Sequence, residues 1–79
     1  MARFFFHLHE CGRVTIDLEG RELPDLATAQ HHAEAAARDI MCSEMVDGEL
    51  CLACHIEIEN RDDGGRSTVR FRDAVRITD

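Results

Sequence analysis

The stretch from Leu23 to Gly48 decides the fold: LPDLATAQHHAEAAARDIMCSEMVDG. Asp25 reads as an N-cap, because its short carboxylate can accept from the free N–H groups of a first helical turn and complements the helix dipole. Gly48 is a natural stop, since glycine readily takes the left-handed conformation that ends helices. The sequence therefore predicts one helix over about Leu26–Val46. Apolar residues at three- and four-residue spacing mark the side that packs: Leu26, Ala29, Ala33, Ala36, Ala37, Ile40 and Met41.

Alternating apolar and polar residues on either side of this helix predict two β-hairpins. The four strands are expected at about Arg3–Glu10, Arg13–Leu18, Leu52–Asn60 and Ser67–Ile77. Glycine marks the turn in each hairpin, at Gly12 and at Gly64–Gly65. The order ββαββ predicts an α+β domain, with one long helix on one face of a small antiparallel four-stranded sheet. Residues 1–79 are expected to form a single domain, and the strand order within the sheet is left open.

The same alternation assigns side chains to the two faces of the sheet. The residues expected to face the helix include Phe4, Phe6, Leu8, Val14, Ile16, Leu18 and Cys54. The residues expected on the opposite face are Phe5, His7, His9, Thr15, Asp17, His55, Glu57 and Glu59. Most helix positions that pack are alanines, so the helix can lie close to the sheet while Phe4 and Phe6 fill the space. One helix covers one face only, which predicts an exposed Phe5.

Composition restricts the classes of partner. The 79 residues carry 16 acidic and nine basic side chains, all nine of them arginine, for a formal net charge of −7. An acidic domain repels the phosphate backbone, so nucleic-acid binding is disfavoured. The densest basic run near the C-terminus is interrupted by aspartates: Arg66, Arg70, Arg72 and Arg76. No stretch approaches the ~20 apolar residues of a membrane span, and no signal peptide is recognisable. We therefore expect a cytoplasmic protein with reduced cysteines and no membrane partner.

Five segments form a recognisable pattern: the aromatic-rich first strand Arg3–Leu8, the Glu19-Gly20 turn, the helix entry Glu22–Leu26, and the later segments Ile56–Ile58 and Phe71–Val75. Together they resemble a known family of small bacterial domains of unknown function. The similarity covers nearly the whole chain. The resemblance implies a stand-alone ββαββ protein with no assigned activity, cofactor or catalytic residue. The cysteines and most of the histidines lie outside the shared pattern, which argues against a family-wide metal role.

A transition-metal site is the sharpest chemical hypothesis. His7, His9 and His55 are expected on one face with Glu57 and Glu59, and neighbouring first and third strands would let such ligands converge on zinc. Cys11 and Cys51, near the ends of those strands, are possible additions. The alternative is a solvated sheet face that simply carries polar residues.

The run Cys51-Leu52-Ala53-Cys54-His55 matches the signature of covalent haem attachment. That chemistry requires export, and the motif runs into a strand, so we favour Cys54 as a small core residue. A redox dithiol would favour a helix N-terminus, which the start of a strand does not offer.

The sequence shows no nucleophile–base pair that would indicate an enzyme. The leading prediction is a non-catalytic interaction module that forms a homodimer, with Phe5, His7 and His9 at the interface and no cofactor. An unidentified protein partner is an alternative occupant of that surface. The alternative functions are a metal-binding accessory protein that uses His7, His9 and His55, and a small regulator linked to nucleic acid.

Overall fold

The computed structural model describes residues 1–78 and confirms an α+β fold with one helix and an antiparallel sheet. The sheet has five strands rather than the four predicted. The elements in chain order are β1 (Ala2–Glu10), β2 (Arg13–Thr15), β3 (Arg21–Leu23), α1 (Leu26–Val46), β4 (His55–Asn60), β5 (Gly65–Arg70) and a 3₁₀ helix (Phe71–Asp73). The strand order is β2-β1-β4-β5, and β3 also pairs with β1.

The helix has the predicted bounds because both ends are specified locally. The Oδ1 atom of Asp25 accepts from the backbone N–H of Thr28 at 2.8 Å, which confirms the N-cap. At the other end Gly48 takes a φ of +85° and donates its N–H to the carbonyl of Met45. These caps satisfy groups that a helix terminus leaves without intrahelical partners.

The predicted second strand is wrong in length. The chain forms β2, leaves the sheet over residues 16–20 (hereafter the Asp17 loop), and returns as β3. Both short strands pair antiparallel with β1, with Leu8 opposite Thr15 and Ala2 opposite Leu23. The nine-residue β1 is long enough to hold two partners along one edge.

The predicted assignment of the side chains of the second strand to the two sheet faces is also wrong. Val14 pairs with His9, and Glu10 with Arg13 across the two-residue turn, so Val14 shares the face of His9 rather than that of Leu8. A one-residue change of register moves every side chain to the other face. Val14 is therefore exposed, and Ile16 and Leu18, which lie in the Asp17 loop outside the sheet, are exposed as well instead of buried under the helix.

The predicted third and fourth strands are shorter in the structure. The third begins only at His55, and the fourth ends at Arg70, where the chain turns into the 3₁₀ helix. Phe71 starts that helix and is fully buried, while its N–H donates to the carbonyl of Cys54 at 2.9 Å. Burial of this ring against the core accounts for the end of the strand.

The core lies between α1 and the sheet face that the helix covers, here called the inner face. Ala29, Ala33, Ala37 and Met41 form the buried stripe of the helix at four-residue spacing. Small alanines let the helix approach closely, and larger side chains of the sheet fill the layer. The principal sheet-side residues of this core are Phe4, Cys54, Ile56, Ile58, Val69 and Phe71. Within residues 1–78, no helix has the length and apolar character needed to span a membrane.

Candidate metal centre

Three cysteines meet at the end of the sheet where β1 finishes and β4 begins. His9 and His55 are the last paired residues at this end, so Cys11, just after β1, lies next to the segment that leads into β4. The Sγ atoms of Cys11 and Cys51 are 3.4 Å apart, and those of Cys51 and Cys54 are 2.9 Å apart. All three Sγ atoms lie within 4.8 Å of one another. We call Cys11, Cys51 and Cys54 the thiol cluster.

Burial increases across the thiol cluster. Cys11 is exposed, Cys51 is half-buried, and Cys54 is only 3% exposed. The buried position of Cys54 confirms its predicted inward direction and fixes it in the core. Its S–H donates to the sulfur of Cys51, so Cys51 connects a buried thiol with an exposed one.

The three thiols differ in acidity because they share hydrogen bonds. Hydrogen bonds from Cys54 and then Cys11, followed by the backbone N–H of Ala53, lower the pKa of Cys51. Burial, followed by the hydrogen bond to Cys51, raises the pKa of Cys54 to about 12. The hydrogen bond with Cys51, together with the charge of its thiolate, raises the pKa of Cys11. Cys51 is thus the first of the three to become a thiolate, which is the form that binds metals and attacks electrophiles.

The predicted histidine site looks different in the structure. The rings of His9 and His55 stack with centroids 4.4 Å apart, and Nε2 of His9 is buried with no hydrogen-bond partner within residues 1–78. His7 makes different contacts. Its Nδ1 accepts from the backbone N–H of Asp17 at 3.1 Å, and its Nε2 lies 2.9 Å from a carboxylate oxygen of Glu59. Both nitrogens of His7 are therefore already engaged. Metal binding by these histidines stays a prediction.

His7 and Asp17 fasten the Asp17 loop to the sheet. One carboxylate oxygen of Asp17 accepts from the N–H of Phe6 at 3.0 Å, and the other accepts from Glu19 and Gly20 at 3.1 Å. Burial on its own raises the pKa of Asp17, but these three N–H groups bring it below its usual value. A hydrogen bond from His7, opposed by desolvation and supported by nearby arginines, likewise lowers the pKa of Glu59.

The predicted exposure of Phe5 is wrong. Its ring is 4% exposed and lies between the Asp17 loop and Arg61, whose guanidinium carbon is 3.8 Å from the ring centroid. Gly20 approaches so closely that an added Cβ would come within 2.9 Å of the ring. His7 is also 4% exposed. The surface expected to form a dimer interface at Phe5, His7 and His9 is thus largely covered by the chain itself.

The C-terminal arginines are partly neutralised within the fold. Arg66 contacts Glu57 at 2.7 Å and Glu59 at 3.6 Å, and Arg70 contacts Asp73 at 2.9 Å. These pairs reduce the positive field that a phosphate backbone would meet.

The sequence contained a signal for the thiol cluster that our sequence reasoning did not follow. Cys51 and Cys54 have the CxxC spacing of many metal sites, and Cys11 occupies a hairpin turn. Their convergence depends on β1 and β4 being neighbours, which the sequence left open. Cys11 and Cys51 therefore appeared as possible additions to a histidine site, and the Cys51–Cys54 pair as a disfavoured haem-attachment motif or redox dithiol.

The fold and the cluster define a small α+β domain with a candidate soft-metal centre at one end of its sheet. Residues 3–72 match the family model of a domain of unknown function, DUF6894. The chain belongs to this family, which confirms the resemblance found in the sequence. Comparisons with curated proteins and with solved structures give no match.

Proposed function

We propose that this protein is a non-catalytic binding protein for a thiophilic d¹⁰ cation, with Zn²⁺ as the reference ion. The observation that carries the proposal is the convergence of three cysteine sulfurs within 4.8 Å at Cys11, Cys51 and Cys54. Thiolates are soft ligands that favour zinc, copper(I) and iron–sulfur centres over hard cations. Cytoplasmic conditions, expected from the sequence, would keep these thiols reduced and available.

The sulfur separations suit a single ion. A Zn–S bond of about 2.3 Å in a tetrahedron places neighbouring sulfurs about 3.8 Å apart. The two observed separations, 2.9 and 3.4 Å, are somewhat shorter than that value, and all three sulfurs lie within 4.8 Å of one another. Small side-chain rotations at the exposed Cys11 and half-buried Cys51 can therefore complete the geometry while Cys54 stays anchored in the core.

The fourth coordination position can come from a histidine or from solvent. His55 directly follows Cys54, and His9 lies two residues before Cys11. The Nε2 atom of His9 has no hydrogen-bond partner within residues 1–78; it lies outside the group of ligand atoms within 4.8 Å of one another, so it would have to move toward the sulfurs to bind the ion. The proposal would use one of two histidines predicted from the sequence, His9 or His55, and would leave His7 in its structural role.

Native mass spectrometry of reduced, untagged protein after zinc addition and desalting tests the proposal. We expect one zinc per chain, and a gain in thermal stability that rises with zinc concentration, because a ligand bound only to the native state stabilises it. The Cys51→Ser variant should lose the bound zinc. Cys42→Ser is the matched control, since Cys42 is exposed on α1 and lies outside the cluster.

Two results would contradict the metal proposal: no retained zinc in the wild type, or equal loss in Cys42→Ser and Cys51→Ser. A His9→Gln variant that keeps one zinc with unchanged affinity would assign the fourth position to another ligand. Loss of affinity in His9→Gln but not in His7→Gln would assign it to His9.

The same spectra count subunits and so test the second candidate, a self-associating module. The observation that favours it is the exposed apolar set Val14, Ile16 and Leu18, on and just after the edge strand β2. An exposed edge with apolar side chains can pair with another chain. We expect a dimer that the Leu18→Asp substitution dissociates, and a monomer at all concentrations tested would refute it.

A further inference from the structure

We propose that Cys51 and Cys54 also form a disulfide when the protein meets a hydroperoxide, with the Cys51 sulfur as the attacking atom and Cys54 as the resolving thiol. The reaction uses the geometry of the thiol cluster but requires no bound metal. It therefore goes beyond the proposed metal function and can succeed or fail independently of it.

The arrangement of the sulfurs assigns these roles. The half-buried Cys51 can be reached from solvent, whereas Cys54 is buried and 2.9 Å from the Cys51 sulfur. A disulfide has an S–S length of about 2.05 Å, so bond formation needs a sulfur displacement of less than about 1 Å. Cys11 is the next nearest thiol to Cys51, at 3.4 Å.

The chemistry balances in two steps. The Cys51 thiol gives up its proton and its sulfur attacks one peroxide oxygen; the O–O bond breaks, and the released hydroxide takes up that proton to leave as water, giving a sulfenic acid. The Cys54 sulfur then attacks the Cys51 sulfur, the S–O bond breaks, and the hydroxide leaves as water with the Cys54 proton. Two thiols and one hydrogen peroxide thus yield one disulfide and two waters.

The third thiol of the cluster, Cys11, allows a specific prediction for the Cys54→Ser variant. When Cys54 is replaced by serine, the Cys51 sulfenic acid has Cys11 as its nearest remaining thiol. Oxidation should then link Cys11 with Cys51 across 40 positions of the chain. The exposed Cys42 on α1 gives the comparison for a thiol without a clustered partner.

The test treats full-length, metal-free protein with one equivalent of hydrogen peroxide in the presence of a chelator, followed by thiol blocking and peptide mapping. We expect a mass decrease of two hydrogens and a Cys51–Cys54 disulfide in the wild type and in Cys42→Ser. Cys54→Ser should give the Cys11–Cys51 disulfide. Cys51→Ser should form an intramolecular disulfide more slowly than the wild type.

The proposal is overturned if the wild type first forms a Cys11–Cys51 bond or an intermolecular Cys42 bond. It is also overturned if Cys51 is oxidised no faster than Cys42. Circular dichroism of each variant shows whether it is folded, and the wild-type map decides the question even if Cys54→Ser does not fold. Because the chelator removes zinc, failure of this reaction leaves the metal proposal standing, and failure of zinc binding leaves this one standing.

Discussion

Each face of the sheet buries one phenylalanine of β1 almost completely, but the two faces do so by different means. On the inner face Phe4 is 2% exposed beneath an alanine-rich helix. On the opposite, outer face Phe5 is 4% exposed beneath a short loop and one arginine. The inner face depends on a broad apolar contact, whereas the outer face depends on a few directed hydrogen bonds, in which the Asp17 carboxylate accepts from Phe6 and His7 Nδ1 accepts from the N–H of Asp17.

This difference shows that a sheet face that no helix covers is not necessarily exposed to solvent. The Asp17 loop replaces a second layer by bonding its backbone and carboxylate to β1. Such a cover contains little apolar area, so single polar groups should matter more there than on the inner face. Substitutions on the two faces can measure this.

The largest effects are expected from removing one ring on each face. Phe4→Ala should destabilise the protein by about 3–5 kcal/mol, the usual cost of a buried Phe-to-Ala change. Phe5→Ala should cost about 3 kcal/mol, because the loop above it can relax into part of the space. Urea unfolding monitored by circular dichroism gives both values. A cost near zero for Phe5→Ala would show that the outer face is open.

Gly20→Ala should be the next most damaging change. Gly20 has a φ of +71°, and an added Cβ would come within 2.9 Å of the Phe5 ring and 3.0 Å of the Phe4 carbonyl oxygen. Left-handed strain of about 1–2 kcal/mol adds to overpacking of about 1–3 kcal/mol. Gly12→Ala is the matched control, since its φ is +75° and no atom of residues 1–78, apart from Gly12 and its two chain neighbours, lies within 4 Å of the added Cβ. Equal thermal shifts in the two variants would show that the loop does not press on Phe5.

Asp17→Asn tests the hydrogen bonds of the outer face. The amide cannot reproduce two accepting oxygens, so we expect a cost of about 1–3 kcal/mol at neutral pH. Because folding lowers the pKa of Asp17, its contribution is present above the unfolded pKa of about 4 and disappears as the pH falls through the lower folded pKa. The stability difference between wild type and variant should therefore shrink at acidic pH. A difference that is independent of pH would indicate that the carboxylate charge contributes nothing.

The smallest effect is expected from Arg61→Gln. The guanidinium covers the Phe5 ring but the side chain is largely exposed, so its loss should cost about 0.5–1 kcal/mol. Arg76→Gln serves as a control at an exposed position. If both variants have the same unfolding midpoint, the Asp17 loop alone shields the ring.

The inner face was largely predictable from the sequence, and the outer face was not. The caps at Asp25 and Gly48 are local, so the helix bounds were predicted correctly. The outer face depends on Asp17 reaching Phe6 and on Arg61 reaching Phe5, contacts between residues that are distant in the chain. Alternation alone cannot supply such contacts. It also misassigned Val14, because the register across the two-residue turn determines its direction.

The candidate site was predictable only in part. Its location near the ends of two strands and the inward direction of Cys54 followed from the pattern, and Cys11 and Cys51 were considered as ligands. The meeting of all three sulfurs required the β1–β4 pairing. That pairing could not be chosen from the sequence, because a helix between two hairpins allows more than one antiparallel arrangement.

The separation of Cys11 from Cys51 along the chain has a consequence for how cross-linking would act on the fold. A link between them, through a metal or a disulfide, encloses a ring of about 40 residues that contains β2, β3 and all of α1. Chain-entropy arguments give such a ring about 4 kcal/mol of stabilisation, against roughly 2 kcal/mol or less for the short Cys51–Cys54 ring. The choice of partner for Cys51 would thus determine whether a chemical event at this end of the sheet constrains the helix together with β2 and β3, or only the short segment from Cys51 to Cys54.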